Sequence, residues 1–151
     1  MTSTIKQIID FEARQNALDI TRSIAVQAPA GSGKTELLSL RFLKLLAACQ
    51  HPEEVLAITF TKKAANEMAQ RILNTLEWAQ QVDPQNIDTQ LKRDKYNIAN
   101  SVLEQDKKEA WQLLQSPNRL RIQTIDSFCN FLASKLPILS NFGGPLQISE
   151  Q

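Results

Sequence analysis

Ala28-Pro29-Ala30-Gly31-Ser32-Gly33-Lys34-Thr35 brings two glycines, a lysine and two hydroxyls into one short stretch. Such a loop can turn its backbone N–H groups inward around phosphate oxygens. A helix read over Glu36 to Phe42 adds the partial positive charge of its N-terminus at the same place. Lys34 can then reach the terminal phosphates, and the Thr35 hydroxyl can ligate a magnesium ion. The apolar run before the loop reads as a strand, about Ile24 to Gln27, so the order is strand, glycine loop, helix. A glycine turn that merely joins a strand to a helix would need neither the lysine nor the hydroxyl directly after Gly33. The strict pattern opens on glycine, where this chain has Ala28. Nucleoside triphosphate binding is the reading, with Ala28 through Thr35 as contacts and Lys34 and Thr35 as the groups that act on phosphate and metal.

Two later segments carry a second kind of chemistry. Thr59, Phe60, Thr61 and Lys62 stand where an apolar run ends and a helix begins, and ligands of open parallel sheets gather beyond such strand ends. The helix N-terminus and the threonine hydroxyls can hold backbone phosphates, Phe60 can offer a face to an unstacked base, and Lys62 and Lys63 add positive charge. Spacing alone leaves open that Phe60 is core and the lysines are ordinary surface. Thr124-Ile125-Asp126-Ser127-Phe128-Cys129 repeats the arrangement, with Asp126 or Ser127 expected as the helix N-cap.

The elements that must position these residues follow from periodicity. A helix is expected over 5–20. The helix after the loop places Leu38, Phe42, Leu45 and Cys49 at helical spacing and stops near His51-Pro52. Val55 to Phe60 suits a parallel strand buried on both faces. The helix after it has a stripe of Ala65, Met68, Ala69, Ile72, Leu73 and Leu76. Between Trp78 and Pro117 the chain is polar, with a break at Asp83-Pro84 and one or two surface helices, the second carrying Ala99, Val102, Leu103, Ala110, Leu113 and Leu114. The charges from Glu104 to Glu109 read as a solvated face. Leu120 to Thr124 is a third strand, and the helix from Asp126 to about Lys135 is expected to bury Cys129, Leu132 and Leu136. Strands each followed by a helix imply right-handed parallel crossovers, hence an α/β sheet flanked by helices.

Taken in order, Ala28 to Thr35, Ile58 to Arg71 and Thr124 to Cys129 resemble successive motifs of superfamily 1 DNA helicases of the UvrD/Rep type, nearest in flavour to the RecB and AddA helicase-nuclease branch. The resemblance covers nearly the whole chain. It implies an incomplete RecA-like P-loop NTPase domain over 1–136, with 78–118 a polar helical insertion and 137–151 the start of a truncated helical accessory sub-domain. It implies ATP and magnesium as cofactors, single-stranded DNA as partner, translocation from 3′ to 5′ in recombination or repair, and a nuclease subunit or domain in the complete protein. It also implies DNA contact by Thr59, Phe60, Thr61, Lys62, Thr124 and Phe128. Many members carry histidine where Asp126 stands, so Asp126 caps or orients instead of binding phosphate. The family places a glutamine before the first strand to read adenine. Alignment puts Arg14 at that position, with Gln15 adjacent but about 100° away around a helix.

Hydrolysis also needs an acidic residue to hold magnesium and a carboxylate to position water. The family supplies them as an aspartate-glutamate pair after an apolar strand, and this chain contains none; Glu53-Glu54 precedes a strand and does not follow one. The chain therefore reads as the first part of a motor that binds ATP without turning it over. A non-enzymatic nucleotide- or DNA-binding module and an unrelated phosphate-loop kinase are the other readings. Its 151 residues give one domain, and a net charge of only +1 means nucleic-acid affinity must come from a local basic patch. Cys49 and Cys129 lack metal-ligand spacing and are expected as buried, reduced thiols. His51 reads as a loop residue. No signal peptide or membrane-spanning run is seen, so a cytoplasmic protein is expected.

Overall fold

The computed structural model describes residues 11–29 and 31–135. Residues 11–17 are helical (α1), followed by α2 (Lys34–Leu46), β1 (Leu56–Thr59), α3 (Lys62–Gln81), α4 (Gln90–Glu109), β2 (Arg121–Thr124) and α5 (Ile125–Lys135). The described fold is thus mixed α/β, with two parallel strands and five helices, compatible with part of a RecA-like domain. The early part of the expected 5–20 helix, Ala30, Leu136 and the 137–151 segment lie outside the described residues.

Local chemistry sets the element ends. Thr61 Oγ1 accepts from Ala64 N at 3.1 Å and Thr89 Oγ1 accepts from Lys92 N at 3.3 Å, capping α3 and α4. Single 3₁₀ turns at Pro52–Glu54, Pro84–Asn86 and Pro117–Arg119 each open on proline, which needs no N–H partner there. Helix α4 stops at Glu109 because Ala110 turns left-handed at φ 53° and returns its N–H to Asp106 O. Leu113 and Leu114 therefore lie beyond the helix, not on it. Asp106 Oδ1 accepts from Leu113 N at 3.0 Å and Gln105 Nε2 donates to Cys49 O at 2.9 Å, so these two members of the expected solvated face tie the helix end to its neighbours.

The core sits where α2, α3 and α4 meet. Leu43 and Leu46 of α2, Ile72 and Leu76 of α3, and Ala99 and Val102 of α4 are all 0% exposed. Trp111 and Leu113 close it, and the Trp111 indole donates to Gln50 O at 3.0 Å. The polar middle segment is therefore more than surface: its helix contributes one stripe to the core. On α3 the expected stripe holds at Ala65, Met68, Ile72 and Leu76. On α2 the buried face runs through Leu37, Leu40, Leu43 and Leu46, whereas Leu38 is exposed.

Strands β1 and β2 pair in parallel, Leu56 with Arg121 through Thr59 with Thr124. The expected strand at Ile24 to Gln27 is not one; 23–29 forms no ladder, because the described sheet contains only β1 and β2. For the same reason β1 is not buried on both faces: Leu56 and Ile58 are exposed. Helix α5 has no buried residue, so the expected burial of Cys129 and Leu132 does not occur. Cys129 is exposed and Cys49 half-buried, both free thiols. His51 is exposed and opens the turn before β1.

Arg119 joins the turns that precede the two strands. Its Nε and Nη2 contact Glu53 Oε1 and Oε2 at 2.7 and 3.2 Å, and its Nη1 donates to Trp111 O at 3.0 Å. The arginine holds the Glu53 carboxyl below its usual range. A carboxylate depressed in the folded state adds stability above its unfolded pKa, and that contribution is lost as pH falls through the folded pKa. The pair is partly exposed, so its coupling is about 0.5–1 kcal/mol. Glu53→Gln should lower the urea midpoint at pH 7 and match the wild type below the folded pKa; parallel acid-stability curves would refute this.

Candidate functional site

The stretch from Ala28 to Thr35 carries its two described glycines in the left-handed region. Gly31 and Gly33 adopt φ of +76° and +82°, a region that side chains disfavour. Gly33 is the N-cap of α2 and offers no side-chain cap, so the helix's first N–H groups face the loop without a capping oxygen. The Lys34 ammonium folds back over the loop, donating to Ala28 O and, at 2.6 Å, to Pro29 O.

Beside the loop lies a cavity of about 550 Å³, within the range of small-ligand sites. Its cationic lining residues are Arg14, Arg22 and Lys34, and among the described residues no carboxylate lines it. Ser32, also in the lining, has a buried hydroxyl oxygen with no hydrogen-bond partner among the described residues. Buried polar atoms are almost always satisfied, so an orphan at this position marks where a ligand oxygen fits. Left-handed glycines, uncapped amides, three cations and an orphan hydroxyl fit a polyphosphate. For magnesium the stretch offers only the hydroxyls of Ser32 and Thr35, so an ion would be held largely by phosphate and water.

The walls are held by residues that spacing did not single out. Arg41 of α2 donates to Ala17 O, Asp19 O and Arg22 O at 2.7, 2.8 and 2.6 Å, and Lys44 donates to Leu18 O at 3.1 Å. These bonds pin the turn after α1 to α2. Within that turn the Thr21 hydroxyl and N–H both donate to Asp19, which lowers its carboxyl below the ordinary range. The only sequence signal for Arg41 is an arginine set between the apolar Leu40 and Phe42. Arg14 reaches the loop, with Nη2 2.9 Å from Ser32 O. Gln15 does not line the cavity; its Nε2 donates to Asp94 at 3.1 Å on α4.

The two later segments converge. Register pairs Thr59 with Thr124, so the parallel strands deliver Thr59–Lys62 and Thr124–Phe128 to one end of the sheet. Phe60 is 90% exposed, which removes the core reading. Lys62 and Lys63 are exposed, and Lys63 lies 3.9 Å from Glu67. Thr59 Oγ1 donates to Thr61 O at 3.0 Å, while Thr61 caps α3. The cap of α5 is Thr124, not Asp126 or Ser127: its Oγ1 accepts from Ser127 N at 3.2 Å. Thr124 is buried, with its hydroxyl also 2.9 Å from that of Ser127, and Phe128 is half-buried. Among the described residues no helix is long and apolar enough to cross a membrane.

Residues 9–151 match the family described as UvrD/REP helicase N-terminal domain. The chain is 36% identical over 118 residues to an ATP-dependent helicase/nuclease subunit of Lactobacillus gasseri, covering 78% of this chain and 8% of that protein. It is 42% identical over 73 residues to the ATP-dependent DNA helicase SRS2 of Saccharomyces cerevisiae, covering 47% of this chain and 6% of the relative. A probable DNA helicase II homolog of Mycoplasma pneumoniae is 48% identical over 52 residues, 34% of this chain and 7% of its own length. The chain thus spans less than a tenth of the length of these relatives. No solved structure matches it. With the glycine loop and the paired strand ends in place, the match across nearly all of its residues shows that the chain belongs to the UvrD/Rep helicase N-terminal domain family.

Proposed function

We propose that this chain is the nucleotide-binding, DNA-contacting first part of a motor that couples ATP hydrolysis to translocation on single-stranded DNA. The observation that carries the reading is the register of Thr59 with Thr124, which sets both helicase-like segments side by side at one sheet end. ATP, when bound, supplies the phosphoanhydride whose cleavage drives movement. The loop N–H groups and the α2 N-terminus would hold its phosphates, Lys34 would exchange the Ala28 and Pro29 carbonyls for phosphate oxygens, and Thr35 would hold magnesium. Phe60 stacks on a base, while Lys62 and the Thr61 and Thr124 turns follow the DNA backbone.

The sequence has no aspartate-glutamate pair after an apolar strand, so the chain by itself holds ATP without hydrolysing it. Domain limits of 1–136 and a 78–118 insertion belong to the same reading. So do movement from 3′ to 5′, cytoplasmic recombination or repair, and a nuclease subunit or domain in the complete protein.

Fluorescence anisotropy with a labelled oligothymidine tests the DNA half. Stacking of one base on an aromatic ring contributes about 1–3 kcal/mol, so Phe60→Ala should weaken binding by roughly 5- to 100-fold. Lys62→Ala should flatten the dependence of affinity on salt. Wild-type affinity in both variants overturns the DNA assignment, and failure of the wild type to bind a fluorescent ATP analogue overturns the nucleotide one.

A further inference from the structure

We propose that Arg14 is a positioning residue for the phosphate loop, latching the Ser32–Gly33 peptide so that the Gly33 N–H faces the phosphates. The inference rests on the nucleotide reading above and assigns α1 a part in it. Its first support is the bond from Arg14 Nη2 to Ser32 O at 2.9 Å. The peptide is planar and trans, so its C=O and N–H point in opposite directions. Gripping the Ser32 oxygen from the α1 side therefore turns the Gly33 N–H away from α1. Glycine adopts positive and negative φ with similar ease, so a peptide next to Gly33 can flip cheaply unless something holds it.

The second support is the space over Gly33. A Cβ there would stand 3.3 Å from Arg14 Nη2 and 3.5 Å from Nη1, so the guanidinium lies against the bare Cα. Gly33 is needed twice, for its φ of +82° and for the arginine above it. The third is the anchoring of Arg14 itself: the turn that follows α1 is fixed to α2 through the three carbonyls held by Arg41. A guanidinium with five fixed donors on a pinned helix suits a latch. Because it donates only, it is unsuited to the paired donor and acceptor pattern of adenine. Its task is to shape the loop, and the base is read elsewhere.

The test uses the full chain, with fluorescent ATP and ADP analogues as probes and Arg14→Ala and Arg14→Lys as variants. A hydrogen bond involving a charged group is worth about a tenfold factor, so Arg14→Ala should weaken both nucleotides by about tenfold and equally. Arg14→Lys, which can still donate to Ser32 O, should recover most of the loss. A second readout needs no nucleotide. The chain has four glycines, so the Gly33 amide is readily assigned by ¹⁵N-glycine labelling. It should be sharp in the wild type and exchange-broadened in Arg14→Ala. Wild-type affinity in Arg14→Ala, a loss confined to ATP, no recovery with lysine, or an unchanged Gly33 resonance overturns the proposal. Wild-type binding unaffected by Lys34→Ala instead sinks the nucleotide reading while the glycine signal still reports on the latch.

Discussion

Replacing Lys34 by alanine is expected to lower the affinity of this chain for ATP by roughly 10- to 100-fold, the worth of one hydrogen-bonded charge. The ammonium sits inside the loop on Ala28 O and Pro29 O, where a phosphate oxygen would take over as acceptor. The loss should fall on ATP more than on ADP if, as proposed, the lysine reaches the outer phosphates and the loop amides hold the inner ones. Stability should change little, since the Pro29 contact is solvent-exposed and the Ala28 contact only partly buried. Titration with a fluorescent ATP analogue reads the affinity, and a phosphate-release assay on the same samples reads turnover. The wild-type chain should release no phosphate above background with or without single-stranded DNA. Release that disappears in Lys34→Ala would refute the view that the catalytic carboxylates must come from elsewhere.

The second large effect is on folding. Helix α3 packs against α2, α4 and both strands, and Ile72 at its centre is 0% exposed. Ile72→Ala removes three carbons from a site fixed on several sides, where the surroundings relax only in part. Such truncations cost about 2–5 kcal/mol, and this position belongs in the upper half of that range. Small domains have about 5–15 kcal/mol in total, so the variant should lose roughly a quarter or more of the urea midpoint. Ile72→Val should lose only about 1 kcal/mol. Equal midpoints for the two variants would mean that α3 is not the centre of the core. Because Ile72 does not line the cavity beside the loop, folded Ile72→Val should bind nucleotide as the wild type does.

What the sequence showed and what it hid divide along one physical line. The glycine turn was legible because its information is local: Gly31 and Gly33 stand where the backbone takes positive φ, beside a lysine and a hydroxyl at fixed offsets. The α3 stripe was legible because one helix face meets the core along its whole length. The Ile24–Gln27 segment has strand composition, but a strand exists only against a partner, and no described strand lies beside it. Helix α5 shows the same limit, since its apolar period marks a face without saying whether anything covers it. Cys129 and Leu132 are exposed for that reason.

The convergence of Thr59 and Thr124, the placing of Arg14 over Gly33 and the Arg41 clamp are contacts between distant residues, which spacing cannot supply. Gln15 and Arg14 illustrate the difference closely. Neighbours in sequence, they leave α1 in different directions, one to Asp94 and the other to the loop. The polar middle segment concealed its role because Ala99 and Val102 are only a narrow stripe in an otherwise hydrophilic helix. Family membership, in turn, leaves the unrelated phosphate-loop kinase without support.

The parallel pairing of β1 with β2 also dictates an order of events as the chain folds. All of α3 and α4 lies between the two strands, so their ladder cannot zip from a turn as a hairpin does. The entropy of closing so long a loop must be met before any strand hydrogen bond forms. Helices α3 and α4 shorten that search by docking on each other, which brings the end of α4 and the Trp111 segment back toward the turn before β1. The Glu53–Arg119 bridge then meets at the mouth of both strands and sets their register from one end. On a ribosome, β1 would emerge early and wait, its apolar residues open, until Thr124 had been made. The sheet end that aligns the Thr59–Lys62 and Thr124–Phe128 turns is thus among the last parts of the fold to become correct.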